Sequence, residues 1–223
     1  VHDFDGIECW EALQSLYQQK NLPLRIRKNI PLEHLDTFIA AGLQTDFGDD
    51  WLHLGGVKLF ADGALGPQTA AMNQPYEGTS TIGNLLLSED EITEIGMRAA
   101  SHGLALTVHA IGDRANHETI NAIERLRRYE VEHQLPHFLH RIEHVQIIDP
   151  EDLPRLVKLD IIASVQPVHA PSDMDMADMH LGARAGNAYA YRSMLNSGVR
   201  ILLGCLLYTS DAADEEDSVD LGG

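Results

Sequence analysis

The chain has 223 residues, of which 44% are hydrophobic and 22% charged, which is typical of a globular protein with one large or two small domains. Its formal net charge is −18 without any cluster of Lys and Arg, so nucleic acid is excluded as an expected partner. No apolar run approaches the roughly 18 residues that cross a bilayer, so no membrane-spanning segment is expected in this stretch. Cys9 and Cys205 lie near opposite ends without motif spacing, which fits a reducing, cytoplasmic compartment.

Hydrophobic periodicity predicts strands and helices in alternation along the chain. Strands are expected at 24–30, 56–61, 104–109, 138–144, 161–166 and 199–203. Helices are expected at 6–20, 31–41, 88–102, 113–130, 149–159 and 187–197. Ser88 and Glu91 have the spacing of a capping box at the start of the third helix. Long loops are expected at 62–87 and, after the strand at 161–166, around 174–180.

This alternation predicts an α/β fold with parallel strands and right-handed crossovers. Two architectures satisfy it, an open doubly wound sheet and a closed (β/α)8 barrel. No glycine-rich phosphate loop of the GxGxxG or GxxxxGK[ST] type occurs, so the motif evidence for a nucleotide-binding fold is missing. Periodicity alone leaves both architectures open.

Polar side chains follow the apolar runs where several predicted strands end. His109 and His144 end two consecutive strands, Gln166 ends the next strand, and His169 follows it. Because the carboxyl ends of parallel strands form the usual active-site edge, these side chains can converge there. Neutral imidazole is the commonest metal ligand, which suggests a metal site, whereas the alternative is that the histidines only cap the sheet and bind loop carbonyls.

Lys58 stands inside an apolar strand that leads to Asp62. Burying an ammonium group is costly because desolvation disfavours the charged form. Lys58 can therefore reach the rim of the sheet or pair with Asp62. Alternatively it is neutral, or modified to a carbamate that supplies an anionic oxygen ligand.

Four separated segments, in this order, resemble the YtcJ-like branch of the metal-dependent amidohydrolase superfamily. They read GGVKLFADGALGPQTAAM, LTVHAIGDRA, HRIEHVQIIDPED, and ASVQPVHAPSDM followed by HLGARAGNAYAYRSMLNSGVRILLG. The similarity is collinear from Leu22 to Gly204. It implies an α/β fold that forms part of a TIM-type (β/α)8 barrel, with about six parallel strands alternating with helices.

The resemblance also implies a function and a site. Lys58, His109 and His144 correspond to the central metal-site residues, and the implied cofactor is a divalent metal, zinc, as one or two ions. The implied reaction is hydrolysis of a non-peptide carbon–nitrogen bond in a small amide or N-acyl substrate by metal-activated water. We expect the substrate pocket to include Asp62, Arg114, Gln166 and His169, and we allow for a homo-oligomer.

Two features of the superfamily are missing from the sequence. There is no HxH pair of the kind that the family carries on its first strand. The Ser-Asp pair expected after the last strand is replaced by Gly204-Cys205-Leu206-Leu207, and Ser210-Asp211 falls six residues too late. No catalytic acid or base can therefore be identified. We expect the first strands to lie upstream of Val1 and the chain as written to be catalytically inactive and prone to aggregate.

These observations divide the chain into an incomplete barrel domain at 1–204 and a tail at 205–223. The tail contains six acidic residues, lacks Lys and Arg, and has no apolar periodicity, so we interpret it as disordered or foreign, read-through sequence.

Other functions are compatible with the sequence. A metal-free α/β binding or regulatory protein could use the same scaffold, because a fold does not fix a function. A serine or cysteine hydrolase on an open sheet is disfavoured because GxSxG does not occur.

Overall fold

Six parallel strands form a single sheet in the computed structural model, which describes residues 6–203. The strands are β1 (Ile26–Pro31), β2 (Leu52–Phe60), β3 (Leu106–Ala110), β4 (Arg141–His144), β5 (Ile162–Val165) and β6 (Ile201–Leu203). Their order in the sheet is their order in the chain. The sheet forms a half-barrel, which confirms the predicted partial TIM-type α/β fold. The predicted tail at 205–223, including Cys205, lies outside the described residues.

Seven α-helices, besides two short 3-10 helices at Leu32–His34 and Gly182–Asn187, connect or flank the strands within residues 6–203. They are α1 (Ile7–Gln18), α2 (Leu35–Ala40), α3 (Glu89–Ala100), α4 (Asp113–Glu132), α5 (Leu153–Lys158), α6 (His169–Leu181) and α7 (Tyr191–Ser197). The predicted capping box is confirmed, because the Ser88 side chain accepts from the Glu91 N–H and the Glu91 carboxylate accepts from the Ser88 N–H. None of these helices has the length and hydrophobicity to cross a membrane.

Helix α6 corrects the prediction of a loop around 174–180. Only Ala177 and Leu181 are buried on this helix, whereas Met174 and Met179 are exposed. With so few buried positions, α6 lacks the apolar stripe that α3 and α4 show. Ala177 and Leu181 pack with residues of the loop at 62–87, such as Tyr76, in a second hydrophobic cluster beyond the carboxyl ends of the strands.

The two faces of the sheet differ in polarity because side chains alternate along each strand. One row of residues in register is apolar and fully buried against the helices: Leu59, Val108, Ile142 and Ala163. The opposite, concave face carries two polar rows. The first contains Lys58, Thr107 and Arg141, and the second contains Phe60, His109, Glu143 and Ser164. The concave face is therefore where the chain places its chemistry-bearing side chains.

A buried polar network joins α4 to the segment before β4. His140 is completely buried, and its Nδ1 accepts a hydrogen bond from the Leu106 N–H. Its Nε2 must then carry the proton, which it donates to Glu130 at 2.7 Å. Arg127 donates to the other oxygen of Glu130. Burial lowers the pKa of His140 and outweighs the opposing effect of Glu130, so the ring is held neutral in the folded chain.

The neutral state of His140 predicts that acid destabilises the fold. In the unfolded chain the ring takes up a proton near its ordinary pKa of about 6.5, whereas the folded chain resists protonation. Stability from this group is therefore complete above about pH 6.5 and is lost as the pH falls through the lowered pKa of the folded state. We expect the free energy of unfolding to fall between pH 7.5 and 5.5, by up to about 1.4 kcal/mol per pH unit. Urea denaturation across this range measures the slope.

His140→Gln should have a shallower slope over that pH range, and His102→Gln, which changes an exposed histidine, should keep the wild-type slope. Equal slopes for wild type and His140→Gln would contradict this explanation.

Candidate functional site

The three predicted metal-site residues lie on three adjacent strands. His109 on β3 and His144 at the end of β4 are buried, and their ring centroids are 4.7 Å apart in an edge-on arrangement. Lys58 on β2 is also buried, with its Nζ 4.8 Å from the centroid of the Phe60 ring. The Phe60 ring lies 5.2 Å from that of His109. The structure therefore brings the two imidazoles together. Lys58 contacts the Phe60 ring, which in turn contacts His109.

A left-handed bend at the end of β4 is associated with the orientation of His144. Because Glu143 lies in the concave row, regular alternation would turn His144 toward the helices, beside its register partner Ala110. Instead His144 has φ +74° and the next residue, Val145, has φ +44°. Such angles are rare in non-glycine residues and cost about 1–3 kcal/mol each. The bend replaces regular alternation where the His144 ring meets that of His109.

The hydrogen bond of His109 fixes which ring nitrogen carries the proton. Its Nε2 lies 2.9 Å from the carbonyl oxygen of Gly63, which can only accept. Nε2 is therefore protonated in the neutral ring, and the lone pair lies on Nδ1. This is the arrangement expected of a histidine metal ligand whose other nitrogen donates to a carbonyl.

Asp62 organises the backbone around this edge. Its carboxylate accepts hydrogen bonds from the N–H groups of Ala71, Ile111 and Gly112 at 2.7–2.9 Å. One of its oxygens also lies 3.6 Å from Nε2 of His109. The residue is 1% exposed, and its carboxylate connects the end of β2 with the loop after β3. These contacts give Asp62 a structural role, and its predicted contact with the substrate stays a prediction.

The other three predicted pocket residues lie at the same edge. Gln166 directly follows β5, is 4% exposed, and its Nε2 has no hydrogen-bond partner within residues 6–203. His169 begins α6, and its ring centroid lies 6.4 Å from that of His144. Arg114 is partly exposed in the first turn of α4, 3.8 Å from Glu118. His169 thus borders His144, whereas Arg114 is oriented along its own helix.

Asn29 on β1 is a polar residue of the concave face that the sequence analysis did not identify. Its Oδ1 accepts from the Gly56 N–H and from the Thr107 hydroxyl, which fixes the orientation of the amide. Its Nδ2 is buried and has no partner among the described residues. Asn29 and Lys58 both line a cavity of about 350 Å³. Asn29 follows Arg27 and Lys28 in β1, which reads IRKNIP, so no polar residue within an apolar run marked it in the sequence.

A backbone carbonyl accepts hydrogen bonds from the first turn of α4. The oxygen of Ala71 accepts from the N–H groups of Arg114 and Ala115. Gly112 precedes the helix, and a Cβ there would lie 2.0 Å from the same oxygen. Only glycine allows the loop to approach the helix this closely.

The donor set fits a metal in part. Two buried imidazoles that meet edge-on from adjacent strands are of the residue type that binds zinc and similar ions. Within residues 6–203, however, no group of three or more His, Cys, Asp and Glu side chains is arranged to hold a metal ion. Lys58 would have to supply a third ligand, and a lysine can do so as a carbamate.

The curled parallel sheet with its polar concave face is part of a TIM-type barrel, and comparisons with known proteins identify its family. The sequence profile of the amidohydrolase family matches residues 5–205. The chain is 31% identical over 211 residues to Protein LONG AFTER FAR-RED 3 of Arabidopsis thaliana, covering 87% of this chain and 34% of that protein. It is 30% identical over 151 residues to a Bacillus subtilis protein named as an amidohydrolase, YtcJ, covering 67% and 27%.

Among solved structures, the fold resembles an uncharacterized metal-dependent hydrolase from Pyrococcus furiosus. The TM-score is 0.79 at 32% identity, over 89% of this chain and 40% of that one. The chain belongs to the amidohydrolase family, in its YtcJ-like branch, and it spans about a quarter to a third of the length of the curated relatives it matches.

Asp62→Asn should destabilise the fold strongly. The amide has one acceptor oxygen in place of two, and its NH2 group would face a backbone N–H, so at least one buried donor loses its partner. We expect the free energy of unfolding to fall by about 3 kcal/mol, since hydrogen bonds to charged groups are worth about 1.5–3 kcal/mol each. Urea denaturation measures it, with Asp175→Asn on the exposed face of α6 as the matched control. An unchanged midpoint for Asp62→Asn would refute the structural role.

Proposed function

We propose that this chain is part of a metal-dependent hydrolase that cleaves a non-peptide carbon–nitrogen bond in a small amide or N-acyl compound. Membership of the amidohydrolase family supports the reaction class. The observation that carries the proposal is the pair of buried imidazoles, His109 and His144, with ring centroids 4.7 Å apart at the carboxyl edge of the sheet.

Lys58, His109 and His144 would hold the ion, with Nδ1 of His109 as its ligand atom. Zinc is the proposed metal because it suits imidazole ligands, and two ions would be possible only if a Lys58 carbamate bridges them. A bound divalent ion would lower the pKa of water toward about 7 and polarise the substrate carbonyl. Gly63 and Asp62 keep the His109 ring in the required tautomer and place.

The remaining polar groups would bind the substrate. The buried Nε2 of Gln166 can donate to a carbonyl or carboxylate oxygen, which would satisfy a group that has no partner within the described residues. His169 would contact the substrate beside His144, and Asp62 would contact it only if its backbone hydrogen bonds rearrange. Arg114 could bind a substrate carboxylate at the rim, in exchange for its contact with Glu118. The apolar lining near Lys58, from Phe60 and Leu86, favours an uncharged acyl group there.

Removal of either imidazole should abolish tight metal uptake. We expect the wild-type chain to bind Zn²⁺ or Co²⁺. His109→Ala and His144→Ala should each raise the dissociation constant at least tenfold, because each removes a ligand. Equilibrium dialysis with metal analysis measures the affinity, and His102→Ala, at an exposed position before β3, is the control.

Absence of metal from the wild-type chain would favour the alternative function, a metal-free binding or regulatory protein, which the lack of a three-residue cluster within residues 6–203 also favours. Wild-type affinity in both alanine variants would place the metal elsewhere.

We expect the 223-residue chain by itself to show no amide hydrolysis. Of the buried carboxylates at this edge, Asp62 is held by backbone N–H groups and Glu143 by Arg141, so neither is placed to act as a general base. Incubation of the zinc-supplemented chain with a panel of N-acetyl and N-formyl amines, followed by amine detection, measures turnover. Chelator-sensitive turnover above the rate of the His144→Ala variant would show that the chain is catalytically competent.

A further inference from the structure

The strained bend that carries His144 is connected by hydrogen bonds to helix α6. The residue that follows the bend, Gln146, is buried, and its backbone carbonyl accepts from the Tyr189 N–H at 2.7 Å. Its side-chain Nε2 donates to the Tyr189 hydroxyl, also at 2.7 Å. One tyrosine thus contacts both the backbone and the side chain of the residue next to the bend.

The Tyr189 hydroxyl also makes a hydrogen bond to α6. It donates its single proton to Oδ2 of Asp173 at 2.6 Å, which leaves its lone pairs to accept from Gln146. Asp173 lies one turn along α6 from His169, the third imidazole of the edge. Its other oxygen accepts from the Ser172 hydroxyl. Because the Asp173 carboxylate can only accept, the directions of the Gln146–Tyr189 and Tyr189–Asp173 side-chain hydrogen bonds are both fixed.

A second contact supports the bend from the opposite side. Nδ2 of the fully buried Asn116 donates to the carbonyl of Ile147 at 3.0 Å, and the Ile147 N–H donates to the carbonyl of Ile111 at 2.9 Å. These contacts attach the segment after the bend to α4 and to the loop after β3. They include no hydrogen bond to α6, whereas the Tyr189 hydroxyl bonds to Asp173 on that helix.

We propose that Tyr189 is a positioning residue, which acts through Gln146 to hold the left-handed bend that aims His144 at His109. Tyr189 itself has φ +53°, a strained conformation for a non-glycine residue, which is expected where the surroundings over-determine the backbone. That the arrangement of His109 and His144 serves metal binding rests on the function proposed above. That Tyr189 maintains this arrangement does not depend on it.

The test compares tyrosine and aspartate variants of the 223-residue chain. Tyr189→Phe removes the hydroxyl but keeps the ring and the backbone N–H. Asp173→Ala interrupts the connection from the α6 side, which keeps the test informative if Tyr189→Phe folds poorly. Asp173→Asn retains an oxygen that can accept the tyrosine proton and should behave as the wild type. Tyr76→Phe is the matched control, because it loses a buried hydroxyl bond of 2.8 Å to the Ala70 carbonyl that is not connected to the bend.

The first readout needs no metal. In the metal-free chain, ring protons of His109 and His144 should show a nuclear Overhauser effect in the wild type, Asp173→Asn and Tyr76→Phe. The effect should be weakened or lost in Tyr189→Phe and Asp173→Ala. The second readout is the dissociation constant for Co²⁺, which should rise about tenfold or more in the same two variants, as for other residues that orient a metal ligand.

Retention of the wild-type Overhauser effect in Tyr189→Phe and Asp173→Ala would overturn the inference, as would equal loss in Tyr76→Phe. If the wild type shows the effect but binds no Co²⁺, the proposed metal function fails, and the ring geometry of the variants alone decides the role of Tyr189.

Discussion

The parallel register of the strands is the constraint on which this site depends. Lys58, Thr107 and Arg141 are paired in one row, and His109 and Glu143 in the next. In such a sheet every strand delivers its last residues to the same edge, so side chains far apart in the chain become neighbours. The apolar row on the other face buries against the helices and fixes the register, because a slip by one residue would exchange the two faces.

The site adds contacts to this regular scaffold that the strands alone would not supply. Asp62 draws three backbone N–H groups around one carboxylate and thereby joins the ends of β2 and β3. The left-handed bend at His144 breaks the alternation of β4. Both are costly when isolated, since one buries a charge and the other strains the backbone. Their concentration at one edge of the sheet is typical of a functional site.

The sequence was sufficient for the strand–helix order, the capping box at Ser88, and the location of Lys58, His109 and His144 at one edge. These depend on local periodicity and on the geometry common to parallel sheets. It was insufficient for α6, whose few buried residues leave no apolar stripe. It also could not reveal that Asp62 binds backbone groups or that Tyr189 contacts Gln146, because both depend on loops whose path is set by tertiary packing. The orientation of His144 depends on φ angles that no residue type at 144–145 would suggest.

The carbonyl of Ala71 at the start of α4 has a consequence for ligand selection. In many α/β proteins the first turn of the helix after a strand binds phosphate through its exposed N–H groups. Here the N–H groups of Arg114 and Ala115 are already satisfied, and the loop residue that satisfies them is held in place by Asp62. These N–H groups are therefore committed to the fold, and the start of α4 lacks the pair of free donors with which such helices hold a phosphate.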